Sequence, residues 1–167
     1  MQIFYYSESG RKHVARHFVD SDLAGSHFLS STFPTPDDLL AYVNANAPRE
    51  IFKQSMGKCA YCFNLSDGRM AGTSGIALRQ ELNSQDIVRE VRDGYTIDVG
   101  IVKTLPLTSE FCIIAHESPQ GLSIVTAFPG GYARAFAQKG QTSEEYALNE
   151  QFWAEHILLR KAVDDGC

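Results

Sequence analysis

Five side chains that can carry positive charge crowd into positions 11–17: Arg11, Lys12, His13, Arg16 and His17, in the run R-K-H-V-A-R-H. On a helix, His13 and His17 are four residues apart and therefore neighbours. Two imidazoles at that spacing form the metal pair of an H-E-x-x-H helix. Here Val14 stands where the general-base glutamate belongs, and no third ligand is in view. The spacing better suits anion binding with acid–base work on a phosphodiester. Lys12 and Arg16 would supply charge, and a histidine near neutral pKa would move protons. The plain alternative is a solvated basic helix face.

Other candidates stand apart from this run. Lys103 continues the apolar face of an alternating segment after Ile97, Val99 and Ile101, so it either snorkels to water or points into a polar site at a sheet rim. Thr126 is expected to face the same way as Ile124 and Phe128. His116 follows Cys112 and Ile114 on one face of an apolar run, where a core or edge histidine is the simpler account. His156 falls within an apolar helical stripe and reads as structural, and His27 carries no periodic signal. Cys59-x-x-Cys62 has the spacing of half a zinc site or a redox pair, but no second C-x-x-C or H-x-H follows. Tyr61 and Phe63 suggest instead a strand entering the core. Cys112 reads as a small core hydrophobe, and Cys167 as an exposed terminal residue.

These residues need elements to hold them. Residues 2–6 can form a short first strand. Ser9 can cap a helix running to about Asp20, with Val14, Ala15 and Phe18 on its apolar side. A second helix is signposted over 36–46. Thr35 is its cap, Pro36 suits the first helical position, and Asp37 and Asp38 favour the positive end of the dipole. Residues 49–56 and 76–83 are expected to be helical too. The glycine-rich stretch N-L-S-D-G-R-M-A-G-T-S-G at 64–75 is a long loop or flap. Beyond it the period changes to two. Strands are expected over 95–103, 111–117 and 122–128, the last two joined by S-P-Q-G as a hairpin. A helix over about 143–162 opens with a Thr142/Glu145 capping box and lays Leu148, Phe152, Trp153, Ile157 and Leu159 on the sheet.

The expected architecture is therefore α+β. An antiparallel sheet of about four strands fills the second half, with N-terminal helices and a C-terminal helix packed on it. One domain over 1–167 is expected, with its helical part at about 7–83 and the sheet and last helix at about 95–162. With 167 residues, 44% of them hydrophobic and 21% charged, the chain can bury about 70% of its unfolded surface. Disorder is excluded as the main state, and no run approaches the roughly 18 apolar residues of a membrane span. A net charge of −5 argues against a protein that coats nucleic acid broadly, while leaving room for a local cationic site. The amino terminus M-Q-I-F-Y-Y-S-E-S-G-R-K-H lacks the apolar core of a signal peptide, so a cytoplasmic protein with free thiols is expected.

The run L-S-I-V-T-A-F-P at 122–129 resembles a closing strand of bacterial ribonuclease toxin domains, the broad barnase, EndoU, colicin and RelE-like group common in contact-dependent inhibition. That resemblance implies N-terminal helices followed by a curved antiparallel sheet. Thr126 would lie at the active site beside a histidine from the helical part and a Lys or Arg. V-A-R-H looks like the family's histidine-bearing helix, which brings His17 to that role. The resemblance implies RNA as partner, tRNA being one candidate, and a cognate inhibitor protein. It implies no cofactor and no metal. RNA supplies its own nucleophile, the 2′-hydroxyl. The protein needs a base, an acid and donors for the charged phosphorane. His17 or His116 would serve as base or acid, Lys103 and Arg134 would stabilise charge, and Thr126 would donate to a phosphate oxygen, with His13, Arg16 and Lys12 binding substrate. The rival reading is a non-enzymatic binding or regulatory protein, such as a partner in a toxin system.

Register limits the ribonuclease reading. If Glu117 pairs with Leu122, a regular ladder pairs Ile113 with Thr126 and puts His116, opposite Ser123, on the other face. His116 and Thr126 would share a face only across a bulge, so His17 is the expected partner of Thr126.

Overall fold

A computed structural model describes residues 3–18, 26–54, 57–92 and 94–162. Cys167 lies outside them, and the first helix, expected to run to about Asp20, ends at Ala15, with Arg16, His17 and Phe18 in a turn. Among the described residues, three α-helices and eleven strands form a mixed α/β structure. The chain divides into two compact units, each built from two stretches of sequence: Met1–Ser74 with Pro106–Tyr132, and Gly75–Leu105 with Ala133–Cys167.

The first unit holds β1 (Phe4–Tyr6), α1 (Glu8–Ala15), α2 (Pro36–Ala45), β2 (Glu50–Lys53), β3 (Lys58–Asn64), β4 (Gly72–Thr73), β8 (Leu107–Thr108), β9 (Glu110–Ser118) and β10 (Gly121–Pro129). Its main sheet runs β1-β10-β9-β3-β2, while β4 and β8 make a small pair of their own. The β9–β10 hairpin pairs Glu117 with Leu122 as anticipated, and Ser118 with Gly121, so the turn is Pro119–Gln120. β1 is parallel to β10, which corrects the all-antiparallel expectation. Residues 50–53 are a strand, not a helix: Ile51 and Phe52 find ladder partners on β3, and tertiary pairing overrides weak helix propensity.

α2 starts as its sequence signals require. The Thr35 hydroxyl accepts from the Asp38 amide, and the Asp38 carboxylate accepts from the Thr35 amide at 3.0 Å. α1 is capped by Ser7 rather than Ser9, the Ser7 hydroxyl accepting from the Gly10 amide at 3.0 Å. Both helices pack on one face of the sheet. The core there joins Val14, Leu39 and Val43 to Phe63, Phe111, Ile113, Ala115, Ile124 and Ala127. α1 lies so close to β10 that a Cβ at Gly10 would run into the carbonyl oxygen of Ile124. Helices therefore do cover the sheet, but they come from the N-terminal half. The 64–75 stretch does not divide helices from strands, since β2 and β3 precede it and Leu65, Ala71, Gly72 and Thr73 are buried.

The second unit holds β5 (Ile76–Leu78), β6 (Ile87–Arg92), β7 (Tyr95–Val102), α3 (Ser143–Glu155) and β11 (His156–Lys161), with sheet order β5-β11-β7-β6. The expected strand at 95–103 is present, but in a different sheet from β9 and β10. Residues 76–83, expected as a helix, form β5 and a single 3-10 turn at Arg79–Glu81. The expected long last helix stops at Glu155. Ile157 and Leu159 are buried in alternation, and β11 is hydrogen-bonded on both edges, antiparallel to β5 and parallel to β7. The strand's two ladders outweigh the helical pattern that continued to 162. What remains of the helix exposes Tyr146 and Leu148, so no apolar stripe packs as anticipated. The small core of this unit gathers Leu105, Ile157 and Leu159 with Leu82, Ile87 and Val102. It lies on the face of β7 that carries Gly100, where a Cβ would strike Leu82. Among the described residues, no helix is long and apolar enough to cross a membrane.

Candidate functional site

On β10 the ladder steps from Ile124 opposite Ala115 directly to Thr126 opposite Ile114, leaving Val125 as an extra residue. This bulge reverses the side-chain alternation. Ile124 points into the helix-covered core, whereas Thr126 belongs to the opposite face with Phe128, and not with Ile124 as expected. The same register puts Ser123, opposite His116, on the Thr126 face, and Lys58 of β3 lies across the ladder from His116. His116 is exposed, Thr126 is half-buried and Ser123 is buried.

The histidines of the basic run, His13 in α1 and His17 in the turn after it, lie on the other side of that sheet. Val14 sits in the core beneath the helices, Phe18 stacks on Phe28 at 4.9 Å, and the His17 carbonyl accepts from the Phe28 amide. The His17 ring is held in this layer, its Nδ1–H donating to the Ser26 carbonyl at 2.9 Å. Burial lowers its pKa below the ordinary value, opposed by that hydrogen bond. His13, Lys12 and Arg16 are exposed, and Lys12 approaches Glu8 at 3.9 Å. Arg11 bonds Asp37 at 2.9 Å and lies 4.8 Å over the Tyr6 ring. The expected meeting of His17 or His13 with Thr126 is thus replaced by His116, Ser123, Lys58 and Thr126 on one face, with His17 held in the helical layer on the other and Lys12, His13 and Arg16 exposed there. Lys103 and Arg134 belong to the second unit. Lys103 is exposed just past the end of β7, and Arg134 bonds the Asn149 side chain through Nε at 2.8 Å.

The C-x-x-C motif resolves simply. Cys59 and Cys62 are three apart on β3, so they face opposite sides of the sheet and cannot form a common site. Among the described residues, no three His, Cys, Asp or Glu side chains gather as a metal site. His156 caps the end of α3 and stacks on Phe152 at 4.0 Å.

The second unit contains a cavity of about 590 Å³ that the sequence reading did not single out. Tyr95, Phe136 and Trp153 form its aromatic wall, with ring centres 5.3 and 4.8 Å apart in turn. The indole Nε1–H donates to the Arg134 carbonyl at 3.1 Å, which fixes the ring plane. The polar side is an Arg79–Asp98–Arg89 chain. Arg79 Nη1 meets one Asp98 oxygen at 2.8 Å, and Arg89 Nε meets the other at 3.3 Å. Arg79 also donates to the Trp153 carbonyl at 3.0 Å, while its Nε is buried without a partner. The Arg79 hydrogen bond, with Arg89 assisting, holds the Asp98 carboxyl below the usual carboxylate range. Asp98 therefore stays ionised and serves as an anchor for guanidinium groups, not as a proton donor. Arg89, directly across the ladder from Asp98, keeps a side chain 74% exposed.

The signals for this cavity were present but scattered. Asp98 interrupts an apolar strand, and the sole tryptophan falls in a pattern that equally suits a packing stripe. Compared with known proteins, the chain matches no protein-family model and no curated protein sequence.

Proposed function

We propose that this is a binding protein whose second unit takes a planar heteroaromatic ligand bearing an anionic group, the chemistry of a nucleotide. One observation carries the reading: three aromatic rings and a pair of arginines tied to one carboxylate line a single cavity of about 590 Å³. That size lies within the range of small-molecule sites, roughly 300–1,000 Å³. A flat ring stacks on Trp153 and Phe136. A guanidinium offers five donors, more than one carboxylate oxygen takes up, so Arg89 retains donors for an anionic substituent.

The sole tryptophan makes the test direct. Trp153 fluorescence is followed while adenosine monophosphate, adenosine and inorganic phosphate are added, with calorimetry in parallel. A saturable change with the nucleotide is expected, weaker by tenfold or more with adenosine or phosphate alone. Arg89→Ala should remove the preference for the nucleotide over adenosine. No saturable heat or fluorescence change at millimolar nucleotide would refute the proposal.

A second reading keeps the ribonuclease expectation in altered form, because the Val125 bulge brings Thr126 to the face of His116. In it His116 serves as the acid or base on the RNA 2′-hydroxyl or leaving oxygen, and Lys58 and Thr126 meet the phosphate. RNA cleavage that persists in EDTA and falls about a hundredfold in His116→Ala is expected. Total RNA left intact by folded protein counts against it.

A further inference from the structure

We propose that Cys62 and Cys112 are an oxidation-responsive thiol pair that closes a disulfide across the β3–β9 ladder. The two residues are direct partners in the antiparallel register, and their sulfurs lie 2.8 Å apart. Opposed positions on such a ladder have Cα atoms about 4.5–5.5 Å apart, within the span of about 4.4–6.8 Å that a disulfide bridges. Both side chains leave the same face of the sheet, so joining them needs no change of register. Cys59 is excluded as a partner of either by its position on the other face.

The pair is also asymmetric in a way that orders the chemistry. Cys62 is half-buried and open to a small oxidant, whereas Cys112 is fully buried and also approaches the Gly130 carbonyl at 3.5 Å. The hydrogen bond from Cys112 lowers the Cys62 thiol pKa, against the effect of burial, while that bond and burial raise Cys112. Cys62 is thus the attacking sulfur and Cys112 the resolving one.

The oxidant is a hydroperoxide. The Cys62 thiolate attacks one peroxide oxygen. A sulfur–oxygen bond forms, the oxygen–oxygen bond breaks, and the departing hydroxide takes up the thiol proton as water. The Cys112 sulfur then attacks the sulfenic sulfur. The sulfur–sulfur bond forms, the sulfur–oxygen bond breaks, and hydroxide leaves with the Cys112 proton as a second water. Two electrons pass from the thiols to the peroxide.

The test treats the whole protein, carrying Cys59→Ser, with hydrogen peroxide. Remaining thiols are then blocked and the tryptic peptides analysed. Peptide 59–69 should appear joined to peptide 104–134, two hydrogens lighter than their sum, and separate on reduction. In Cys112→Ala, Cys62 should stop at the sulfenic acid and be trapped by dimedone. Three results would each overturn the proposal: both cysteines recovered as blocked thiols after oxidation, Cys62 joined to Cys167, or oxidation of Cys62 to sulfinic acid with Cys112 still present as a thiol.

Discussion

Gly10 sets two general effects against each other. Within a helix, alanine is favoured over glycine by up to about 1 kcal/mol, and Gly10 lies in the first turn of α1. By propensity alone, Gly10→Ala should stabilise α1. The structure reverses the sign. The added methyl would overlap the Ile124 carbonyl, a backbone atom of a central strand that cannot rotate aside. Relief requires α1 to move off β10, loosening Val14 from the core it completes. Overpacking of this kind costs about 1–3 kcal/mol. With Val14 partly withdrawn, we place the change near the top of that range. After subtracting propensity, the net loss is about 1–2 kcal/mol. In a domain of this size each kcal/mol moves the thermal midpoint by about 4–8 °C. Urea and thermal unfolding followed by far-UV circular dichroism measure it, and Trp153 fluorescence reports the second unit separately. Ser9→Ala, on an exposed position of the same helix, should stay within about 0.5 kcal/mol of the parent. A Gly10→Ala protein as stable as the parent, or more so, would refute the argument that close approach outweighs propensity here.

Three further outcomes are expected. Thr35→Ala removes the hydroxyl of the α2 capping box and should cost about 1 kcal/mol in urea unfolding, with Thr35→Ser retaining most of it. His17 has a depressed pKa when folded. Its contribution is therefore complete above the unfolded value of about 6.5 and is lost as pH falls below it, so unfolding midpoints at pH 7.5 and 5.5 should differ less in His17→Gln than in the parent. Asp98→Asn leaves Arg79 and Arg89 adjacent without their shared anion. It should destabilise the second unit by about 1 kcal/mol, and Trp153 emission should shift, since Arg79 also holds the Trp153 carbonyl.

Local signals were legible and long-range ones were not. Thr35, Pro36, Asp37 and Asp38 announce α2 because a cap is satisfied within four residues. S-P-Q-G announces the hairpin for the same reason. The strand at 156–161 depends on partners far along the chain, and the strand at 50–53 on the neighbouring strand β3, so neither is decided by its own residues alone. The Val125 bulge is hidden for a related cause: Ile124, Val125 and Thr126 are all β-branched strand formers, and only pairing with β9 shows which is the extra one. Placing Asp98 among Ile97 and Val99 marked a polar demand on β7, but the aromatic wall that meets it comes from a segment with no periodicity, around Phe136, and from a helix whose tryptophan reads equally well as core.

The interleaving of the two units bears on how the protein is made. During synthesis β1, α1 and α2 emerge early, yet the strand that β1 pairs with and on which α1 rests, β10, is translated only after the whole first stretch of the second unit, Gly75–Leu105. The nascent first unit must wait with Phe4, Val14 and Phe111's future neighbours uncovered. The second unit waits in turn for β11, which sits between β5 and β7 and is translated after both. Neither unit can therefore be cut out as one contiguous fragment. A stop codon placed after Ser74 or after Tyr132 would release a chain with an unfinished sheet, a natural substrate for chaperones and proteases.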